Sequence, residues 1–142
     1  MDLPALRRLP DAEAYRAYFE SEYVNGPSVV TADGITVQFY WDQFDHAFYK
    51  DSSRGGGDKT LFDQQRAERI DWIRALLAAP KAERYRRVVD GKVRCLTLDT
   101  ATSYAAIIQL QGKKARRARF VTAYVANSAS ALAKMRSNPP WP

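Results

Sequence analysis

The C-terminal half constrains the fold most. Three strand-like runs follow one another there: YRRVVDGKVRCLTL, SYAAIIQLQ at 103–111 and ARFVTAYVA at 118–126. A parallel neighbour in a sheet needs a crossover of a dozen or more residues, usually a helix. The gaps between these runs are too short for that. Asp90-Gly91 splits the first run at a tight turn. The runs therefore predict an antiparallel sheet rather than repeated strand–helix–strand units.

The N-terminal half reads differently. DAEAYRAYFESEYV at 11–24 predicts a helix, with Asp11 as N-cap and Asn25-Gly26 as its stop. Tyr15, Tyr18, Phe19 and Tyr23 recur at helical spacing, as packing residues do. SVVTADGITVQFYW at 28–41 predicts a hairpin, with Asp33-Gly34 in positive-φ turn positions. Ile35, Val37, Phe39 and Trp41 alternate with Thr36, Gln38 and Tyr40, the pattern of a half-buried strand. LFDQQRAERIDWIRALLAA at 61–79 predicts one long helix, with Phe62, Ile70, Ile73, Leu76 and Leu77 on its apolar stripe and Pro80 after it. SASALAKMR at 128–136 predicts a short terminal helix that NPPWP cannot continue. There is no internal repeat and no long linker, so residues 1–142 are expected to form a single domain.

Composition narrows the function. There are 22 Lys+Arg against 16 Asp+Glu, a formal net charge of +6. That excess suits a polyanionic partner and equally suits a basic domain that binds no nucleic acid. One cysteine, Cys95, leaves no internal disulfide and no Cys-rich zinc site. With one histidine besides, no metal and no cofactor is expected. MDLPALRRLPDAEAYR has no apolar core of signal-peptide length, and no run is long enough to span a bilayer. The expectation is a soluble cytoplasmic protein without a membrane anchor, with later delivery as a toxin left open.

The lone histidine, His46, stands in FDHAFYK. If that segment is helical, Phe44 and Phe48 share one face while His46 and Lys50 share another, facing a cleft. Gly55, Gly56 and Gly57 follow in DSSRGGGDK; no GK[ST] completes a P-loop there, and the sequence reads as a flexible loop beside a site. Arg66 and Arg69, three apart, share a helix flank. In the last strand, strict alternation puts Phe120, Thr122 and Tyr124 on one face. Arg119, Val121, Ala123 and Val125 take the other, with the last three as the core set. Ordinary strand composition explains the Thr and Tyr as well. KKARRAR at 113–119, with Lys113, Lys114, Arg116 and Arg119, reads as a solvated turn or as a phosphate-backbone footprint.

No Ser-His-Asp arrangement and no glycosidase-like carboxylate pair stands out. A single histidine among many cations suits metal-independent RNA cleavage. In that reaction the 2′-OH attacks the adjacent phosphorus, a base takes its proton and an acid protonates the leaving 5′-oxygen. Cations hold the phosphorane oxygens meanwhile.

With these residues in view, the chain resembles the phage-associated branch of the barnase–EndoU–colicin–RelE group of RNases. HAFYK at 46–50, FDQQRAERIDWIRALLAAP at 62–80 and KARRARFVTAYVANSASALAKMR at 114–136 carry the resemblance, mainly over residues 35–136. It implies an α+β fold, with N-terminal helices packed on a twisted antiparallel sheet of about four strands. It implies metal-independent endoribonuclease activity on RNA in toxin or phage settings, with tRNA-specific and general cleavage both left open. Carried over by position, His46, Thr122, Tyr124 and Arg69 take the catalytic roles. Lys50, Arg66 and Arg119 hold the substrate, joined by Lys113, Lys114 and Arg116 of the basic footprint. EndoU-type enzymes use two histidines and this chain has one, so a second acid–base role would fall to Lys50 or Tyr124, or to an arginine-stabilised alternative. A toxin of this kind implies an acidic immunity or antitoxin partner. The rival expectation is a non-catalytic phage or prophage module that binds nucleic acid or protein. ADP-ribosyl transfer is disfavoured because no Arg/His…Ser-Thr-Ser…Glu constellation is recognisable.

Overall fold

The Asp90-Gly91 signal nucleates a two-residue hairpin. Both residues have positive φ, 50° and 75°, the geometry that matches the twist of paired strands. The turn joins strand β5 (Glu83–Val89) to β6 (Lys92–Leu98), with Val89 opposite Lys92. Strands β7 (Tyr104–Leu110) and β8 (Arg117–Val125) continue the antiparallel run. This is a computed structural model, and it describes residues 2–51, 59–112 and 116–142.

The sheet does not stop at four strands. β1 (Val29–Val30) and β2 (Thr36–Gln38) extend it, giving six in the order β1-β2-β8-β7-β6-β5. β2 lies parallel to β8, with Thr36 opposite Arg117 and Gln38 opposite Arg119. The sheet is thus mixed and larger than expected. Residues 39–116, lying between β2 and β8 in sequence, supply the long connection that a parallel pair requires. In the β1–β2 turn only Gly34 has positive φ, 90°. Asp33 does not; its carboxylate accepts from the Thr31 hydroxyl and, at 3.0 Å, from the Trp141 indole N–H.

Helix α1 (Ala12–Phe19) is capped by Asp11, whose side chain accepts from the Ala14 N–H at 2.8 Å. It runs on as a π-helical turn over Glu20–Val24. Tyr15, Phe19 and Tyr23 are buried along one stripe. A Cβ on Gly26 would stand 2.3 Å from the Glu22 carbonyl oxygen, so the chain can leave the helix there only at glycine. After α2 (Gln43–Phe48) comes a two-stranded ribbon of β3 (Tyr49–Asp51) and β4 (Lys59–Phe62).

The expected single helix over 61–79 is three pieces. Leu61 and Phe62 belong to β4, and Asp63 caps α3 (Gln64–Glu68). The chain breaks at Arg69 (φ −95°, ψ 17°) before α4 (Ile70–Ala78). Long-range partners join at the carbonyls around the break, where the Trp72 N–H also donates to Arg69 at 2.9 Å. The Arg7 N–H donates to the Glu68 carbonyl at 2.8 Å, and the Tyr104 hydroxyl donates to that of Arg69 at 3.4 Å. The N-terminal segment is held there by ion pairs from Arg7 to Asp71 and from Arg8 to Glu68, each at 2.7 Å.

One face of the sheet carries α1 to α4. Phe19, Phe39, Phe44, Phe48, Ile73 and Phe120 meet in that core, all 5% exposed or less. At about 1.5–3 kcal/mol for each fully buried large side chain, this cluster dominates stability. The outer face is covered only in part. Helix α5 (Ala129–Arg136), capped by Ser128, lays Met135 on Leu96, Leu98 and Ala105. The C-terminal tail then runs along β5. The Arg86 N–H donates to Pro139, and the Trp141 N–H to Arg84, so this sheet edge is partly paired. No helix among the described residues is long and apolar enough to cross a membrane.

Candidate active site

A bulge in β8 sets the site. Ile108 pairs with Phe120 but Ile107 pairs with Thr122, leaving Val121 as an extra residue. Such an insertion shifts which side chains face which way. Ala118 and Phe120 point to the helix-side core before it, and Ala123 and Val125 do so after it. Strict alternation is therefore overturned. Phe120 is fully buried away from Thr122 and Tyr124, and Val121 is only half-buried. Arg119, Thr122 and Tyr124 all stand on the outer face, opposite Gln109, Ile107 and Ala105.

The bulge also orients α2. β2 pairs with β8 only as far as Arg119. Beyond it the Gln43 side-chain amide donates to the Phe120 carbonyl, and the Gln43 oxygen accepts the Tyr40 N–H at 3.0 Å. Gln43 thus stands in for a missing strand at the edge of β8. Phe44 and Phe48 are buried beneath, and His46 is exposed on the opposite side of the helix.

The result is a cleft of about 390 Å³. Asp42, Gln43 and His46 line one wall; Arg94, Gln109, Arg119 and Val121 line the other. The Arg94 Nε donates to the Gln109 side-chain oxygen at 3.1 Å. Strand register extends this wall into a row across five strands, Arg87–Arg94–Gln109–Arg119–Gln38. Adjacent members sit about 4.8 Å apart by sheet spacing. Three guanidiniums and no carboxylate make the row an anion-attracting stripe.

A second pocket, about 210 Å³, lies where α3 meets the end of β8. Arg66, Arg69, Tyr124 and Asn127 line it with Asp63 and Gln65. The Arg66 guanidinium lies 5.5 Å over the Tyr124 ring and 3.4 Å from the Asp63 carboxylate. That of Arg69 lies 5.1 Å over the Trp72 ring.

The expected site residues are thus divided. His46 and Arg119 share the first cleft; Arg66, Arg69 and Tyr124 share the second pocket. Thr122, Lys50 and Arg116 line neither. Lys50 leaves the His46 face because Tyr49 turns extended (φ −119°, ψ 150°) and ends α2. Arg116 donates to the Asp33 carbonyl at 3.2 Å. Lys113, Lys114 and Gly55–Gly57 lie outside the described residues. Sequence reasoning missed Asp42, Arg94 and Gln109. Asp42 was legible as a carboxylate four residues before the histidine. Arg94 and Gln109 reach the cleft only through strand pairing.

Among the described residues no group of three or more His, Cys, Asp or Glu side chains could hold a metal ion. Cys95 is buried, and burial pushes its thiol up to about 11. The chain matches no protein-family model, and no match is found among curated proteins or solved structures.

Proposed function

We propose that the chain is a metal-independent endoribonuclease that cleaves RNA to a 2′,3′-cyclic phosphate. The observation that carries this reading is that the lone histidine shares one cleft with Arg94 and Arg119. An imidazole titrates near neutral pH, and guanidiniums stay charged and donate to phosphate oxygens. Asp42 and His46 are the pair that moves protons. One takes the proton of the attacking 2′-OH; the other protonates the leaving 5′-oxygen as the P–O5′ bond breaks. Arg94 and Arg119 hold the phosphorane oxygens. Gln109 is the neutral donor for sugar and base. The earlier resemblance to toxin- and phage-type RNases points the same way, to tRNA among possible substrates and to an acidic inhibitor over the guanidinium row.

The test is incubation of RNA with wild type and His46→Ala in EDTA, with mapping of cut sites and end groups. Cyclic phosphate ends from wild type alone uphold the reading. Intact RNA with both proteins overturns it.

A second reading, a binding module without catalysis, has its own support. Arg66, Arg69 and Tyr124 are not in the His46 cleft, and the row of arginines needs no chemistry to hold a phosphate backbone. It expects salt-sensitive RNA binding, no product and no effect of His46→Ala.

A further inference from the structure

We propose that the Arg66–Arg69–Tyr124–Asn127 pocket is a separate phosphate-binding site, independent of the His46 cleft. Among the described residues, the buried side-chain nitrogen left without a hydrogen-bond partner is Arg69 Nε. A buried donor in that state is costly, and native structures rarely keep one without an ion or water to satisfy it. Arg69 lines this pocket.

The neighbouring groups define the ligand. Arg66 sits three residues before Arg69 and both line the pocket, so it carries two guanidinium-bearing residues. The Tyr124 hydroxyl and the amides of Asn127 and Gln65 add neutral donors. The carboxylate in the lining, Asp63, is already engaged. It accepts the Arg66 N–H at 3.2 Å as the cap of α3 and faces Arg66 Nε at 3.4 Å. Its charge offsets that of Arg66 and leaves Arg69 uncompensated. Arg69 gives NH1 to the Gln65 carbonyl at 2.7 Å. That contact and the stacking on Trp72 fix the guanidinium plane at the pocket's edge. Convergent donors from several directions suit a tetrahedral oxyanion better than a planar carboxylate, which one guanidinium fork satisfies.

The Arg69 Nε–Hε resonance of the intact protein reads the site directly. Inorganic phosphate at millimolar concentration is expected to shift it, with acetate at equal concentration leaving it in place. Arg69→Lys is expected to weaken phosphate binding about tenfold, read by calorimetry, as loss of a charge-assisted donor does. Tyr124→Phe, which removes one oxygen and keeps the ring, is expected to weaken it severalfold. His46→Ala is expected to leave it intact, so failure of the nuclease reading and failure of this site are distinguishable. A 5′-phosphorylated oligonucleotide acting at lower concentration than its 5′-hydroxyl twin identifies the source as a strand end. Phosphate acting while neither oligonucleotide does identifies it as the free anion. A resonance unmoved by phosphate, one moved equally by acetate, or binding lost in His46→Ala overturns the proposal.

Discussion

Arg119 and Thr122 stand on the same face of β8 although three positions separate them. Alternation alone would put them on opposite faces. The extra residue, Val121, reverses the parity of the strand, sends Phe120 into the helix-side core and Arg119 into the cleft with His46. The two residues are still not one site, because Thr122 lines neither cleft nor pocket.

Gln43 is the brace of that bulge. Gln43→Leu keeps the volume and leaves the Phe120 carbonyl and the Tyr40 N–H without their partner. The expected loss is about 1–3 kcal/mol, the penalty of an unsatisfied buried polar group. Urea unfolding measures it. An unchanged midpoint would show that the side chain does not brace the strand.

Binding to RNA is expected to track the guanidinium row. Arg94→Gln and Arg119→Gln each remove one phosphate contact, so each lowers the slope of log affinity against log salt by about one. Filter binding at several salt concentrations gives the slope. Arg74→Gln, on α4 at the helix-covered face, where the guanidinium donates to the Glu22 carbonyl at 2.7 Å, serves as control.

Asp42→Asn and His46→Ala each remove one of the two proton-transfer groups, so each is expected to lower the rate of RNA cleavage by about 10²- to 10⁴-fold. Single-turnover rates on a labelled RNA measure it. A wild-type rate in Asp42→Asn takes Asp42 out of the mechanism.

The C-terminal tail is expected to loosen in acid. Burial pushes the Asp33 carboxyl up. Hydrogen bonds from the Thr31 hydroxyl and the Trp141 indole outweigh that and hold it below its ordinary value. A carboxylate lowered in the folded state contributes stability above its unfolded pKa, about 3.9, and loses it as pH falls through the folded value. Trp141 emission should therefore change below about pH 4, and Asp33→Asn should abolish that step.

Cys95 is expected to resist alkylation in the folded protein. It is 2% exposed, and burial pushes its thiol up to about 11, so little thiolate forms at pH 8. Reaction with iodoacetamide should follow global unfolding. Rapid labelling under native conditions would contradict the placement of β6.

Sequence by itself determined the local events. Asp11 and Ser128 cap their helices because a side-chain oxygen two or three residues upstream satisfies a free N–H. Asp90-Gly91 turns where positive φ is needed. Phe44 and Phe48 anchor α2, and Arg66 and Arg69 share a pocket, because helical spacing places them together. Tertiary structure alone decided the rest. The Arg69 break depends on Arg7 and Tyr104, the parallel β2–β8 pair spans most of the chain, and the bulge is held by Gln43 from 77 residues away. Local patterning records which face of an element is apolar. Register, breaks and bulges are fixed by hydrogen-bond partners distant in sequence, and those partners put Arg94 and Arg119 beside His46.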